Sequence, residues 1–272
     1  MSAYWYTEEM KKLNKNKFNS WKEYYYEYQR TLASGYYIPF LLNNNIELDD
    51  RDILEIGCGN GGFISAFGKY SDNCVGFDLK DLEWKNSNVR YHKLNVFDEN
   101  LTNKIESKFD IIILRDVIEH LDNKLMDQLF DQINLLSKPD TVILITFPPF
   151  YSPFGLHQQV LLNSLLRFVP YLSLIPRDLM RVFVDGESND KENVKELLSL
   201  YDSKKTISMF YSLINNNGYS VLDENFFHIR PSHQIRYELR TIESKFIWHI
   251  PIIRELLITG TVFLINKKRA KF

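Results

Sequence analysis

Cysteine is nearly absent from this chain: among 272 residues only Cys58 and Cys74 carry thiols. They form no Cys-x-x-Cys pair, and two cysteines make no disulfide framework. A reducing compartment, the cytoplasm, is the simpler expectation. An excess of either charge is also lacking: 33 basic and 35 acidic residues leave a net charge of -2. That balance gives no support for a general nucleic-acid binder, so no nucleic-acid partner is expected. A run of about 18 uncharged apolar residues, the length a spanning helix needs, is missing too. The nearest approach, residues 160–184, is interrupted by Arg167, Pro170, Pro176, Arg177, Asp178 and Arg181. Residues 1–17 are polar and charged and lack the apolar core of a signal peptide. The basic cluster at 267–271 reads as a solvated terminus. Repeats at solenoid periods are absent as well.

What is present is ordinary core material, with 44% hydrophobic and 25% charged residues. An aromatic segment with Trp21, Tyr24, Tyr25, Tyr26 and Tyr28 predicts a helix, which the run Asn43-Asn44-Asn45 breaks. We place an N-terminal helical cap at 1–45 and one domain at 46–272. From Asp52 short apolar runs alternate with amphipathic stretches. Strands are expected at 52–56, 73–77, 89–94, 109–114 and 141–147, and helices at 61–69 and 124–136. Strand and helix alternating at this spacing imply right-handed crossovers and a parallel sheet. Apolar runs such as Ile111-Ile112-Ile113-Leu114 suit a sheet covered on both faces. After Pro149 the rhythm is lost until a helix at 206–216 and strands at 219–227 and 257–266. Two insertions stand out, at about 150–203 and 228–256, each after a strand, where the loops of such sheets gather around a ligand crevice.

The strongest local signal runs from Asp52 to Phe63, where a strand passes through Gly57, Gly59, Gly61 and Gly62 into a helix. Glycines permit positive φ and let a ligand approach the backbone. The spacing fits the dinucleotide fingerprint only if Gly62 takes the third place, and the Gly-Lys-Ser/Thr ending of a phosphate loop is absent. The second strand ends at Asp78, whose carboxylate can accept hydrogen bonds from both ribose hydroxyls of a nucleotide.

The stretch Leu54-Glu55-Ile56-Gly57-Cys58-Gly59-Asn60-Gly61 resembles motif I of the class I S-adenosylmethionine methyltransferases. Asp78 falls where that family has its ribose-binding acid. Asp116-Val117-Ile118-Glu119-His120-Leu121 resembles the segment after the fourth strand in the subgroup of ubiquinone-biosynthesis O-methyltransferases. The resemblance covers about residues 50–147, and more loosely 206–266. It implies a doubly wound, mostly parallel, seven-stranded α/β sheet of Rossmann-like form with its last strand antiparallel. It also implies that Gly57 and Gly59 line the methionine part of the cofactor, with Gly61 in the same cofactor-binding turn. Glu55 would orient the turn or reach the cofactor ammonium through water. Cys58 would fill space beside the ligand. Phe63 and Leu79 would pack against adenosine, with core packing an equal alternative for Phe63. Asn95 and Val96 follow the third strand, where the family usually has an aspartate on the adenine amine. Asn95 departs from that pattern but can still accept the bond, and Asp98 competes for the role. Arg115 and Asp116 would lie near the sulfonium.

Methyl transfer from a sulfonium needs in-line positioning, and a hydroxyl or amine acceptor must also lose a proton. His157, in the loop after the fifth strand, is the first candidate for a base, and His120 the second. Asp116, Glu119 and His120 stand at i, i+3 and i+4, one face of a helix. Some ubiquinone-pathway relatives bind a divalent metal with such a group. The same letters occur in relatives without one, and we assign no metal, reading instead a charged helix start with Asp116 near its N-cap. Leu161, Leu162, Leu165, Leu166 and Phe168 form an apolar face at helical spacing that fits a lid, a dimer surface, a membrane-surface contact or plain core. Arg230, His233, Arg236, Arg240 and His249 of the second insertion fit an anionic acceptor or solvated loop charges. The expectation is an S-adenosylmethionine-dependent methyltransferase acting on a small or lipid-like acceptor, at oxygen, with S-adenosylhomocysteine as product. Its rivals are an aminopropyltransferase, an NAD-dependent oxidoreductase, and a non-catalytic cofactor-binding module.

Overall fold

The computed structural model describes residues 10–80, 89–105, 107–185 and 190–268. Most of the polar start at 1–17 and of the basic cluster at 267–271 lies outside them. Among the described residues eight strands form one sheet: β1 Ile53–Ile56, β2 Cys74–Asp78, β3 Val89–Lys93, β4 Phe109–Arg115, β5 Ser137–Phe147, β6 Tyr219–Ile229, β7 Ile242–Glu243 and β8 Gly260–Lys267. Their order is β3-β2-β1-β4-β5-β8-β6-β7. The first five pair in parallel, and β8 runs antiparallel to both β5 and β6. The expected seven strands are thus joined by an eighth of two residues. It arises because β6 continues past residue 227 to Ile229, and Phe227 and Ile229 pair with Glu243 and Ile242 along that open edge.

The β-branched runs alternate between two buried faces. On one, Leu54, Ile56, Ile112 and Leu114 join a core with Phe130, Ile133 and Phe210. On the other, Ile53, Ile111 and Ile113 join Tyr24, Tyr36, Phe40 and Phe63. This is why the central strands carry no polar face.

After a 3-10 turn at Lys15–Lys17, the N-terminal segment continues as α1 Trp21–Leu32, a π-helical turn Ala33–Tyr37, and α2 Ile38–Asn43. Ser20 caps α1 by accepting from the Glu23 amide, and the Glu23 carboxylate accepts from the Asn19 amide in return. Crossovers follow as α3 Gly62–Ser65, α4 Leu101–Lys104 and α5 Met126–Leu136.

The first insertion is more ordered than its sequence promised. It holds α6 Gln158–Leu161, two 3-10 turns at Leu165–Phe168 and Leu172–Leu174, α7 Arg177–Asp185 and α8 Lys191–Ser203. Phe150, Leu156, Leu162, Leu172, Met180 and Leu197 give it a buried cluster of its own. The apolar face expected across 161–168 is not one helix. It breaks after α6, and Ser164 starts a new turn by accepting from the Leu166 amide. Leu161 and Leu162 are buried, whereas Leu165 is 82% and Phe168 68% exposed. The two ends of the insertion meet: the Phe150 amide donates to the Lys205 carbonyl at 2.8 Å. The chain then continues through α9 Ile207–Asn216, α10 Pro231–Tyr237 and α11 Pro251–Leu257. Among the described residues no helix is long and apolar enough to cross a membrane.

Candidate active site

The glycine turn sits at the carboxyl end of β1. The Gly57 and Cys58 amides donate to the Phe77 carbonyl at 2.8 and 3.1 Å, so pairing with β2 persists into the turn. Gly57 and Gly59 have positive φ. Gly61, at φ +73°, caps α3 in the left-handed region that side chains avoid. The Tyr91 hydroxyl donates to its carbonyl at 3.2 Å. Asp78 reaches the turn directly, since its Oδ2 accepts from the Gly59 amide at 2.9 Å. Glu55 is buried, and its Oε2 accepts from the Ile64 amide at 3.0 Å. It therefore braces the turn against α3. Burial pushes its carboxyl up to about 8, with the Arg115 guanidinium pulling the other way. Cys58 packs behind Gly76, where an added Cβ would lie 2.9 Å from its Sγ. Burial raises its thiol far above the ordinary value, so it fills space and is not a thiolate.

On the expected adenosine side the residues scatter. Leu79 is 66% exposed. Asn95 is exposed, with its side chain closing a turn on the Phe97 amide. Val96 is buried in the core that holds Leu54. Asp98 is engaged by Lys104 of α4 and accepts from the Asn100 amide. Phe63 packs inward, edge to face with Tyr37, with the Arg115 guanidinium 5.1 Å from its ring centre.

Beyond β4 the backbone turns sharply at Asp116, φ +52°, and Ile118–His120 is a 3-10 turn. The expected helix face of Asp116, Glu119 and His120 is therefore not formed, and Asp116 is no N-cap. Instead it is tied to β5: its amide donates to the Thr146 carbonyl at 3.0 Å, and the Thr146 hydroxyl donates to its Oδ1 at 3.1 Å. Arg115 and Arg230 approach the same carboxylate at 3.4 and 3.7 Å. Burial pushes the Asp116 carboxyl up, but Arg230 and Arg115 outweigh it and hold the group below the carboxylate range. A crevice of about 20 Å³ lies here, lined by Tyr37, Arg115, Asp116, Thr146, Arg230 and Gly260.

His157 takes the partner that Asp116 does not. Its Nε2 lies 3.8 Å from Glu119 Oε1, and His120 Nε2 lies 4.0 Å from the same oxygen. The two rings meet edge to face at 5.3 Å, and one ligand atom from each of the three side chains falls within 4.8 Å of the others. His157, like Asp116, has a left-handed backbone, φ +54°. Both Glu119 oxygens and His157 Nε2 are buried without a hydrogen bond among the described residues. Burial raises the Glu119 carboxyl well above its ordinary range, and the Asp116 charge adds to this. Burial, reinforced by His120, pushes His157 down to about 3. The His157 ring is therefore uncharged near neutral pH.

Residues 25–183 match the methyltransferase domain. The chain belongs to that family. This methyltransferase also shares its fold with an S-adenosylmethionine-dependent methyltransferase from Archaeoglobus fulgidus, at a TM-score of 0.51 and 17% identity over 93% of this chain and 97% of that one. Magnesium protoporphyrin IX methyltransferase from Synechocystis PCC 6803, solved with bound S-adenosylhomocysteine, superposes with a TM-score of 0.50 and 10% identity over 92% and 89% of the two chains. No curated protein matches the sequence.

Three side chains in the methyltransferase site went unremarked in the sequence: Tyr91 under the turn, Tyr37 in the crevice and Thr146 on Asp116. Only Thr146 leaves a trace, as a polar residue just before Phe147 at the end of an apolar strand.

The buried groups set the pH dependence of stability. His157 and His233 have pKa values lowered by burial to about 3, so their contribution is lost as pH falls below the ordinary 6.5 of the unfolded chain. Glu55, raised from 4.5 to about 8, works in the opposite sense: its contribution is lost as pH rises through that window. Between 6.5 and 8 only the carboxyl effect remains of these two. The urea midpoint of the ligand-free methyltransferase is expected to peak near pH 6.5, and Glu55→Gln to flatten its alkaline side. A wild-type midpoint that climbs steadily to pH 8 would contradict the buried, protonated Glu55.

Proposed function

We propose that the protein transfers the methyl group of S-adenosylmethionine to the oxygen of a small or lipid-like acceptor, with His157 taking the acceptor proton. The observation that carries this reading is the 3.8 Å approach of His157 Nε2 to the buried Glu119, whose oxygens have no hydrogen bond among the described residues, set at the same end of the sheet as the braced glycine turn. Glu55, Arg115, Asp116 and His157 form an electrostatic chain between the two. The turn from Gly57 to Gly61 offers backbone to the methionine part, and Asp78 offers its carboxylate to the ribose. S-adenosylmethionine supplies the electrophilic methyl. Asp116, held ionised, faces the positive sulfonium end. An Nε2–H on His157 directed at Glu119 leaves Nδ1 to receive the acceptor proton, and Glu119 holds the ring in place. The exposed Leu165, Phe168, Val182, Phe246 and Ile252 on the two insertions favour a lipid-like acceptor over a fully polar one.

Calorimetric titration with S-adenosylmethionine, S-adenosylhomocysteine and NAD tests the cofactor. Dissociation constants of about 1–100 μM for the sulfur compounds are expected, with no NAD binding. Asp78→Ala should weaken both by about 1–3 kcal/mol, the usual result of leaving buried polar partners unpaired. Unchanged affinity in the folded variant would remove Asp78 from the ribose. Tight NAD binding would replace the methyl donor with a nicotinamide cofactor.

A further inference from the structure

The crevice at Asp116 carries more positive charge than its one ionised carboxylate neutralises. Arg115 ends β4, and Arg230 immediately precedes α10 of the second insertion. Both contact Asp116, from 3.4 and 3.7 Å, long for charge-assisted pairs. Each keeps a buried Nε with no hydrogen bond among the described residues. Arg236, on α10, points elsewhere: its guanidinium lies 5.3 Å from the Tyr28 ring centre. The nearby acids do little to restore the balance, since burial pushes the Glu55 carboxyl up to about 8 and raises that of Glu119 as well.

Gly260 shows that the position of Arg230 is built into the sheet. A Cβ on Gly260 would overlap Arg230 Cδ and lie 2.6 Å from its Cγ. The stem of the arginine thus crosses the start of β8 only because that residue has no side chain. On the other flank Arg115 is fixed by the Phe63 ring. Two guanidiniums, each held in place by its own element, flank one carboxylate with their Nε donors unspent.

Building on the methyl-transfer reading, we propose that Arg115 and Arg230 form a cradle for an anionic group, a carboxylate or phosphate, on the methyl acceptor. Planar guanidiniums recognise either group through paired N–H donors. The anion draws the two forks from their long contacts with Asp116 and leaves that carboxylate to the sulfonium side. The crevice of about 20 Å³ admits roughly one water, so the anion enters as the second insertion, which carries Arg230, gives way. An anion held between Arg115 and Arg230 fixes one end of the acceptor beside Asp116, within the electrostatic reach of His157.

The same chemistry could come from the carboxylate of the cofactor's own methionine part, and the test separates the two sources. Protein saturated with S-adenosylhomocysteine is titrated with benzoate, inorganic phosphate and the neutral control benzamide. Benzoate or phosphate should bind and benzamide should not. Arg230→Gln should weaken anion binding by about tenfold or more, as loss of a charged hydrogen-bond partner does, with S-adenosylhomocysteine affinity unchanged. Gly260→Ala, which displaces the arginine stem without altering its charge, should weaken the anions in the same direction. The proposal falls if wild type binds neither anion, or if Arg230→Gln binds them as wild type does. It also falls if the variant loses S-adenosylhomocysteine and keeps the anions, which assigns the guanidinium to the cofactor. Failure of wild type to bind S-adenosylhomocysteine would sink the methyl-transfer reading instead. The anion titration on unliganded wild type and Arg230→Gln would then still decide the cradle.

Discussion

His157→Ala is expected to lower turnover by about 10²–10⁴-fold, the range general-base catalysis supplies, while S-adenosylhomocysteine affinity stays close to wild type. The expectation rests on position and protonation together. His157 is half-buried, its Nε2 is buried and faces Glu119 at 3.8 Å, and desolvation holds the ring neutral far below pH 7. A neutral imidazole has a lone pair for the proton, but a ring held at about 3 is a weak base, so the case for His157 rests chiefly on its position. His157→Gln, which fills the same space, should be as slow as the alanine variant, and so rules out a cavity as the cause. Treatment with a chelator should leave wild-type turnover unchanged. Loss of turnover on chelation, restored by a divalent cation, would reassign Glu119, His120 and His157 as metal ligands. Full activity in His157→Ala would take the residue out of the mechanism.

Gly62→Ala is expected to destabilise the protein by about 1–3 kcal/mol or more, the scale of overpacking in a tight interior. The new Cβ would overlap the Tyr26 carbonyl oxygen of α1 and sit 2.9 Å from its carbonyl carbon. Those are backbone atoms, so no rotamer change relieves them, and α1 must lift from α3. Gly59→Ala is the control. It meets nothing within 4 Å and bears only the strain of φ +56°, on the order of 1 kcal/mol. Urea unfolding of both variants checks the pair. Equal losses would mean that α1 does not rest on α3 at the distance seen.

The sheet could be read from the sequence because its signal is local. Ile111-Ile112-Ile113-Leu114 admits no polar face, and Gly57 to Gly62 marks where a strand must turn into a helix. For Glu55 the sequence leaves two roles open, orienting the turn or reaching the cofactor ammonium, and in the fold its carboxylate accepts from the Ile64 amide. The acceptor side was less legible. Asp116, Glu119 and His120 have helical spacing, but the link from Asp116 to Thr146 on the neighbouring strand pulls the chain into a left-handed turn that spacing cannot announce. The meeting of Glu119 with His157 joins residues far apart in sequence, and the unspent valence of Glu119 depends on burial by the first insertion. Helices α7 and α8 were missed because charges interrupt their apolar faces. Only packing on Leu172 and Phe150 reveals which faces those are. The two-residue β7 exists solely because β6 leaves an edge for it.

The hydrogen bond from the Phe150 amide to the Lys205 carbonyl has a consequence for inheritance. A segment whose two ends meet at one point of a sheet can be lengthened, shortened or exchanged while the strands beneath keep their places. The cofactor turn and Asp78 stay with the sheet, whereas His157 travels with the segment. Recombination at that junction therefore swaps the proposed base and the covering surface together and keeps the methyl donor. Grafting another cap between Phe150 and Lys205 is the natural route to a new acceptor on the same frame.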